Sequence, residues 1–167
     1  EDGIRDHCVT GVQTCALPIY HPSPEYESNG WTDNQGNFWY YTNSGYLWEY
    51  NPDIEQWRFI WNSTSSQPVF GTKGVPSATN DPGQRQFGFV TWTDASGDLW
   101  FFGGYCAGTT YADMWRYNIA SNMWTWVSGS DIPNDFGVYG TMGVPSVNNY
   151  PMGRCEVNAS WVDSANN

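Results

Sequence analysis

The chain repeats itself. Trp31-Thr32-Asp33-Asn34-Gln35-Gly36-Asn37-Phe38-Trp39 returns 61 residues later as Trp92-Thr93-Asp94-Ala95-Ser96-Gly97-Asp98-Leu99-Trp100. Leu47-Trp48-Glu49-Tyr50-Asn51 returns 67 residues later as Met114-Trp115-Arg116-Tyr117-Asn118, and Trp57 returns as Trp124. Gly71-Thr72-Lys73-Gly74-Val75-Pro76-Ser77 returns 69 residues later as Gly140-Thr141-Met142-Gly143-Val144-Pro145-Ser146. A third copy opens with Arg154, the counterpart of Arg85, and Trp161-Val162-Asp163. Self-similarity of this kind restricts a chain to architectures in which each copy is one supersecondary unit that buries its apolar face against its neighbours. The offset grows only across loop stretches, where insertions are tolerated.

Within one copy the pattern predicts four short strands and no helix. Phe87–Trp92 is the first, and Thr93–Asp98 a polar turn. Leu99–Phe102 is the second, stopped by Gly103-Gly104. Met114–Tyr117 is the third and Met123–Val127 the fourth. The second is apolar on both faces, as a strand packed between neighbouring sheets should be. In the earlier copy the strands are Phe38–Tyr41, Leu47–Tyr50 and Gln56–Trp61, while Tyr26-Glu27-Ser28-Asn29 is too polar for a good innermost strand. Aromatics at 18%, with 18 glycines and 10 prolines, suit short strands joined by tight turns. A net charge of −11 argues against a nucleic-acid partner and against anionic membranes, both of which need lysine and arginine. No apolar run approaches the roughly 18 residues of a membrane helix.

Residues 1–19 stand outside the repeat. Glu1–Asp6 and Val9–Ile19 match, in one frame and in order, the translation of a common short-read sequencing adaptor, with His7-Cys8 at the place of its index. They are expected to be an artefactual adaptor-derived segment. The repeat region is then 20–167, with units at about 26–70 and 86–128 and the start of another at 154.

The copies resemble the Kelch motif: an apolar second strand followed by a glycine pair, then a tyrosine and a tryptophan at fixed separation. Gly103-Gly104, Tyr117 and Trp124 fit it, and Tyr50 and Trp57 keep the same separation of seven. Thr42-Asn43 replaces the glycine pair in the first copy. The pattern is also similar to the central domain of galactose oxidase, itself a Kelch-type propeller. The resemblance implies an all-β fold, a partial β-propeller of about two four-stranded antiparallel blades plus the start of a third. A closed propeller takes about four to eight blades.

The candidate sites follow from that frame. Asp33-x-x-Gly36-Asn37 and Asp94-x-x-Gly97-Asp98 suggest a calcium loop, but Ser44 and Tyr105 stand where an EF-hand needs its bidentate glutamate. Hairpin chemistry explains the same residues, and no metal or cofactor is expected. Arg85 and Arg154 sit at the mouth of innermost strands, placed either to contact an anionic or glycan ligand or to tie carbonyls of adjacent blades. Trp39, Trp48, Trp57, Trp100, Trp115 and Trp124 recur in register and are expected in the core. Tyr105, Tyr111, Tyr139 and Tyr150 do not recur and are candidates for stacking on a sugar ring or a protein. Tyr105-Cys106 evokes the copper-radical pair of galactose oxidase, but copper also needs histidines, and the repeat region holds only His21. Cys106 and Cys155 fall on one rim of neighbouring blades, which permits a disulfide; the alternative is two unrelated small buried residues.

These residues fit a non-catalytic scaffold of a secreted or cell-surface bacterial protein, contacting a protein or glycan through residues 105–112 and 129–154. The rival is a fragment of a galactose-oxidase-like or sugar-epimerase-like enzyme with its catalytic residues on missing blades.

Overall fold

The computed structural model describes residues 21–156 and 159–163; the adaptor-like segment at 1–19 lies outside them. Nine strands and no helix form among the described residues. Asn29–Thr32 (β1), Phe38–Tyr41 (β2), Tyr46–Asn51 (β3) and Gln56–Asn62 (β4) make one antiparallel sheet in the order β1-β2-β3-β4. Phe87–Thr93 (β5), Leu99–Cys106 (β6), Thr109–Thr110 (β7), Asp113–Asn118 (β8) and Met123–Gly129 (β9) make the other. Its path is β5-β6-β8-β9, with β7 folded back on β6. The fold is all-β, as the repeat predicts.

The two sheets repeat each other residue by residue. Trp31 pairs with Trp39, and Trp92 with Trp100. Tyr50 pairs with Trp57, and Tyr117 with Trp124. Each sheet carries one register shift, between Leu47 and Trp48 and between Met114 and Trp115, at equivalent places. The β1–β2 and β5–β6 hairpins use their aspartates as turn caps. Asp33 Oδ1 accepts from the amides of Gln35 and Asn37, and Asp94 Oδ1 from those of Ser96 and Asp98. The second oxygen of each accepts from an indole, Trp39 Nε1 at 2.8 Å and Trp100 Nε1 at 2.7 Å. With both oxygens of each carboxylate accepting within its own turn, the hairpin reading stands over the calcium one.

One core lies between the sheets. The first contributes Trp31, Trp39, Tyr41 and Leu47; the second contributes Phe89, Leu99, Phe101, Trp115, Tyr117, Trp124 and Trp126. Tyr41 meets Phe89, Phe101 and Trp124 with ring centroids 5.8–6.0 Å apart, in tilted or edge-on arrangements favourable for aromatic pairs. Its hydroxyl escapes burial unpaired by donating to Gly83 O at 2.7 Å. The inner edges are laced together as well: Trp31 Nε1 donates to Trp100 O, Thr91 Oγ1 to Gly30 O and Thr93 Oγ1 to Thr32 O. Ser160 Oγ repeats that link by donating to Thr91 O.

The register also fixes what is left outside. The second sheet meets the first with Leu99, Phe101, Trp115, Tyr117 and Trp124. Their counterparts Phe38, Tyr40, Trp48, Tyr50 and Trp57 lie on the far side of the first sheet. There they stack on one another, Phe38 on Tyr50 and Tyr40 against Trp57, with Phe59 against Trp48. Of the tryptophans expected in the core, Trp39, Trp115 and Trp124 are buried, whereas Trp48, Trp57 and Trp100 are only half-buried. Period-2 alternation places them on the two outward faces, where no sheet covers them.

The segment Tyr26–Asn29, too polar for a good innermost strand, does not form it; β1 starts at Asn29 and runs through Trp31, which supplies the buried side chain. One further expectation is corrected. The glycine pair does not stop the second strand. β6 continues through Gly103 and Gly104, both at positive φ, to Cys106. Glycine is required there: a Cβ on Gly104 would lie 3.0 Å from both Arg85 Cδ and Phe89 Cβ.

Candidate functional site

Four of the eight residues singled out by sequence sit around one buried cluster at the end of β6 and the start of β8. Arg85 is fully buried. It donates through Nε to Gly103 O at 3.1 Å, through one terminal nitrogen to Gln84 O at 3.1 Å, and through the other to Asp113 Oδ2 at 2.5 Å. Asp113 is equally buried and also accepts from Trp115 Nε1 at 2.8 Å. The guanidinium lies 4.0 Å from the centre of the Tyr111 ring, a cation–π contact in a dry environment. Tyr111 is itself buried, and its hydroxyl donates to Gln67 Oε1 at 2.7 Å.

This cluster is a tie. Arg85 is spent on backbone carbonyls and one carboxylate, so it is withdrawn from any ligand. Of the two placements open to Arg85, the carbonyl tie is the one formed, and Tyr111 is enclosed beside it; the two neighbouring carbonyls and the Asp113 charge would otherwise be buried unpaired. Tyr105 is half-buried, its ring stacked on Phe87 at 4.6 Å. Arg154 keeps an exposed side chain, while its carbonyl accepts from Gly104 N at 3.1 Å.

The disulfide is not formed. Cys106 is buried beside Arg85 and Cys155 is half-exposed, and both are free thiols. Cys106 ends β6 paired to Thr109 in a tight return, while Cys155 lies against Gly88 of β5. Burial pushes the Cys106 thiol up, against the opposing pull of the Arg85 charge.

The chain is most exposed in the segment that follows β9. Ile132, Phe136, Val138, Tyr139, Met142, Val144 and Val147 all face solvent there, with Phe136 81%, Met142 98% and Val147 96% exposed. The segment is nonetheless ordered by its own bonds. Ser130 Oγ donates to Asp135 Oδ2 at 2.6 Å, Gly137 N to Asp135 Oδ1 at 2.8 Å, and Tyr150 Oη to Asp135 Oδ2 at 3.1 Å. These donors, the serine first, hold the Asp135 carboxyl below its ordinary range. Tyr150 is thus half-buried as a prop of the loop, and Tyr139 is the exposed tyrosine of the four. Asn134 joins the segment to the β7–β8 turn, its Oδ1 accepting from Thr110 N and its amide donating to Thr110 O. Residues 105–112 and 129–154 therefore share one edge, as sequence predicted.

The structure adds a feature that sequence reasoning missed. The loop 69–81, after β4, crosses to the second sheet and seals its outermost strand. Gly74 N donates to Trp126 O at 2.8 Å, Ser77 N to Trp124 O at 3.2 Å, and Asn80 Nδ2 to Trp124 O at 2.9 Å. Lys73 Nζ donates to Gly129 O and lies 4.2 Å from the Trp126 ring, and Phe70 packs on Trp115 and Trp126. The signal is the recurrence of Gly71–Ser77, which reads as a loop and does not by itself name a partner strand.

Among the described residues no group of three His, Cys, Asp or Glu is placed to hold a metal ion, and no helix is long and apolar enough to cross a membrane. No protein-family model and no curated protein matches the chain.

Proposed function

We propose that the chain is part of a Kelch-like β-propeller that serves as a non-catalytic binding scaffold, secreted or displayed at a cell surface. The observation that carries the reading is the ordered, outward-facing apolar segment 132–147. A contiguous apolar patch on an ordered loop is a common mark of an interaction surface. The lateral lacing of β1, β5 and the segment around Ser160 supports successive repeats set side by side around a common inner edge. Aliphatic side chains outnumber aromatic ones on the segment, which favours a protein surface over a glycan, since sugars are held by aromatic faces and polar forks.

The test is a binding screen of the purified chain against protein and glycan arrays, with Phe136→Ala and Tyr139→Ala beside the parent. Loss of a protein ligand in both variants, with unchanged circular dichroism, supports the scaffold. Ligands retained equally by all three proteins, or turnover of a sugar substrate by the chain, overturn it.

A further inference from the structure

The loop after β9 is a copy of the loop that seals β9. In 69–81, Val75 N donates to Thr72 O, Asn80 N to Ser77 O, Asn80 Nδ2 to Val75 O, and Val69 bridges Asp81. In 138–150, Val144 N donates to Thr141 O, Asn149 N to Ser146 O, Asn149 Nδ2 to Val144 O, and Val138 bridges Tyr150. The backbone matches too: φ is 58° at Gly71 and 57° at Gly140, 80° at Gly74 and 78° at Gly143. The first copy grips a strand through Gly74 N, Ser77 N and Asn80 Nδ2. Their counterparts Gly143 N and Ser146 N have no hydrogen-bond partner among the described residues, and Asn149 Nδ2 has only Val144 O.

The strand such a loop grips also exists unoccupied at the other end of the molecule. β4 is the outer strand of the first sheet, and among the described residues no strand or loop pairs with its outer edge. Trp57 and Phe59 stand where Trp124 and Trp126 stand in β9, with the same pairing and the same register shift. The aromatic face behind it, Phe38, Tyr40, Trp48, Tyr50, Trp57 and Phe59, is the counterpart of the face that the second sheet buries against the first.

We propose that 138–150 is a clasp for the outer strand of a like sheet, and that in this chain it receives β4 of a second copy. This rests on the scaffold reading and names the partner of that surface. Gly143 N and Ser146 N donate to the carbonyls of Phe59 and Trp57, Met142 takes the place of Lys73 over the Phe59 ring, and Tyr139 that of Phe70. The contact is heterologous, so each added copy presents a fresh clasp and a fresh strand, and assembly continues past the dimer. Residues 159–163 lie where the incoming β1 would lie, and Ser160 Oγ must leave Thr91 O. The association is therefore weak, in the micromolar range. At net charge −11 it strengthens with salt.

Sedimentation velocity from about 1 to 200 μM tests it. The parent chain is expected to grow in mass beyond a dimer as concentration rises. Met142→Glu and Phe59→Glu should each stay monomeric alone, and their equimolar mixture should form dimers that grow no further, because it contains one intact clasp and one intact strand per pair. Melting curves show whether each variant is folded; Met142 is almost wholly exposed, and Tyr46→Glu, on an exposed ring edge-on to Phe59 at 5.9 Å, replaces Phe59→Glu if that variant melts early. A parent chain monomeric throughout, growth unaffected by either substitution, or a mixture that stays monomeric overturns the proposal. A monomer that still loses a protein ligand on Tyr139→Ala sinks self-association alone and leaves the scaffold standing.

Discussion

The side-chain amide of Asn80 donates to the carbonyl oxygen of Trp124 at 2.9 Å, tying the loop that leaves one sheet to the outermost strand of the next. Asn80 is buried and also holds its own loop through Val75 O at 3.0 Å. Asn80→Leu, close in volume, takes the donor from Val75 O and leaves Trp124 O with Ser77 N alone. The expected loss is about 1–3 kcal/mol, the cost of leaving a buried acceptor unpaired, read from urea melts. Asn149→Leu, in the exposed copy, should cost well under half as much. Equal losses at the two sites would show that the loop's own fold, and not its grip on β9, sets the stability.

Arg85 and Asp113 form an ion pair with no solvent exposure at either side chain. Arg85→Met leaves the Asp113 carboxylate buried without its counter-charge, and a loss of about 3–5 kcal/mol is expected. Adding Asp113→Asn removes the charge while keeping an oxygen for Trp115 Nε1, and should restore part of that loss. A double variant no more stable than Arg85→Met would place the cost in lost packing around Gly103 and Tyr111 instead of in the orphaned charge.

Burial pushes the Asp33 carboxyl up, but bonds from Trp39 Nε1 and from the Asn37 and Gln35 amides outweigh it, so its pKa is lowered on folding. A lowered acid stabilises the fold fully above the unfolded value, about 3.9, and the stabilisation fades as pH falls through the folded one. Asp33→Ala should cost about 2–3 kcal/mol near neutrality. It should also flatten the fall in melting temperature below pH 4. An unchanged acid limb would assign that fall to other carboxylates.

Cys155 is half-exposed and Cys106 is buried with its thiol pushed up by burial. Iodoacetamide at pH 8, followed by peptide mapping, should label Cys155 within minutes and Cys106 only at the rate of local opening. Denaturant should equalise the two. Rapid labelling of native Cys106 would mean that the β6–β7 return opens freely.

Much of this architecture was legible because its signals are local. The span Phe38–Tyr41 coincides with its strand, and the other strands differ from expectation mainly by extension at their ends. The recurring aspartates named their own turns, since an Asx cap needs only the next few residues. What was illegible is long-range. Arg85 reads as a ligand contact until Asp113 appears 28 residues away, and Tyr111 reads as a free ring until Gln67 appears 44 residues away. Gly103-Gly104 reads as a stop because glycine is a poor strand former. The strand keeps the pair because a Cβ would crowd Arg85 and Phe89 at Gly104 and the Tyr111 carbonyl at Gly103. Two of the four hydrogen bonds that seal β9 come from backbone amides, which carry no residue-type signature.

That seal imposes a timetable on synthesis. The loop 69–81 is made before the strand it closes upon; from Asn80 the acceptor Trp124 is 44 residues further along. At roughly 5–20 residues per second, the ribosome needs about 2–9 s to supply it. Throughout that interval the loop stays unfastened, and Tyr41 waits for Trp124, the last-made of the three rings it meets in the second sheet. The nascent chain is then at its most vulnerable to proteases and to wrong partners, and it is released from that state when Trp124 and Trp126 emerge.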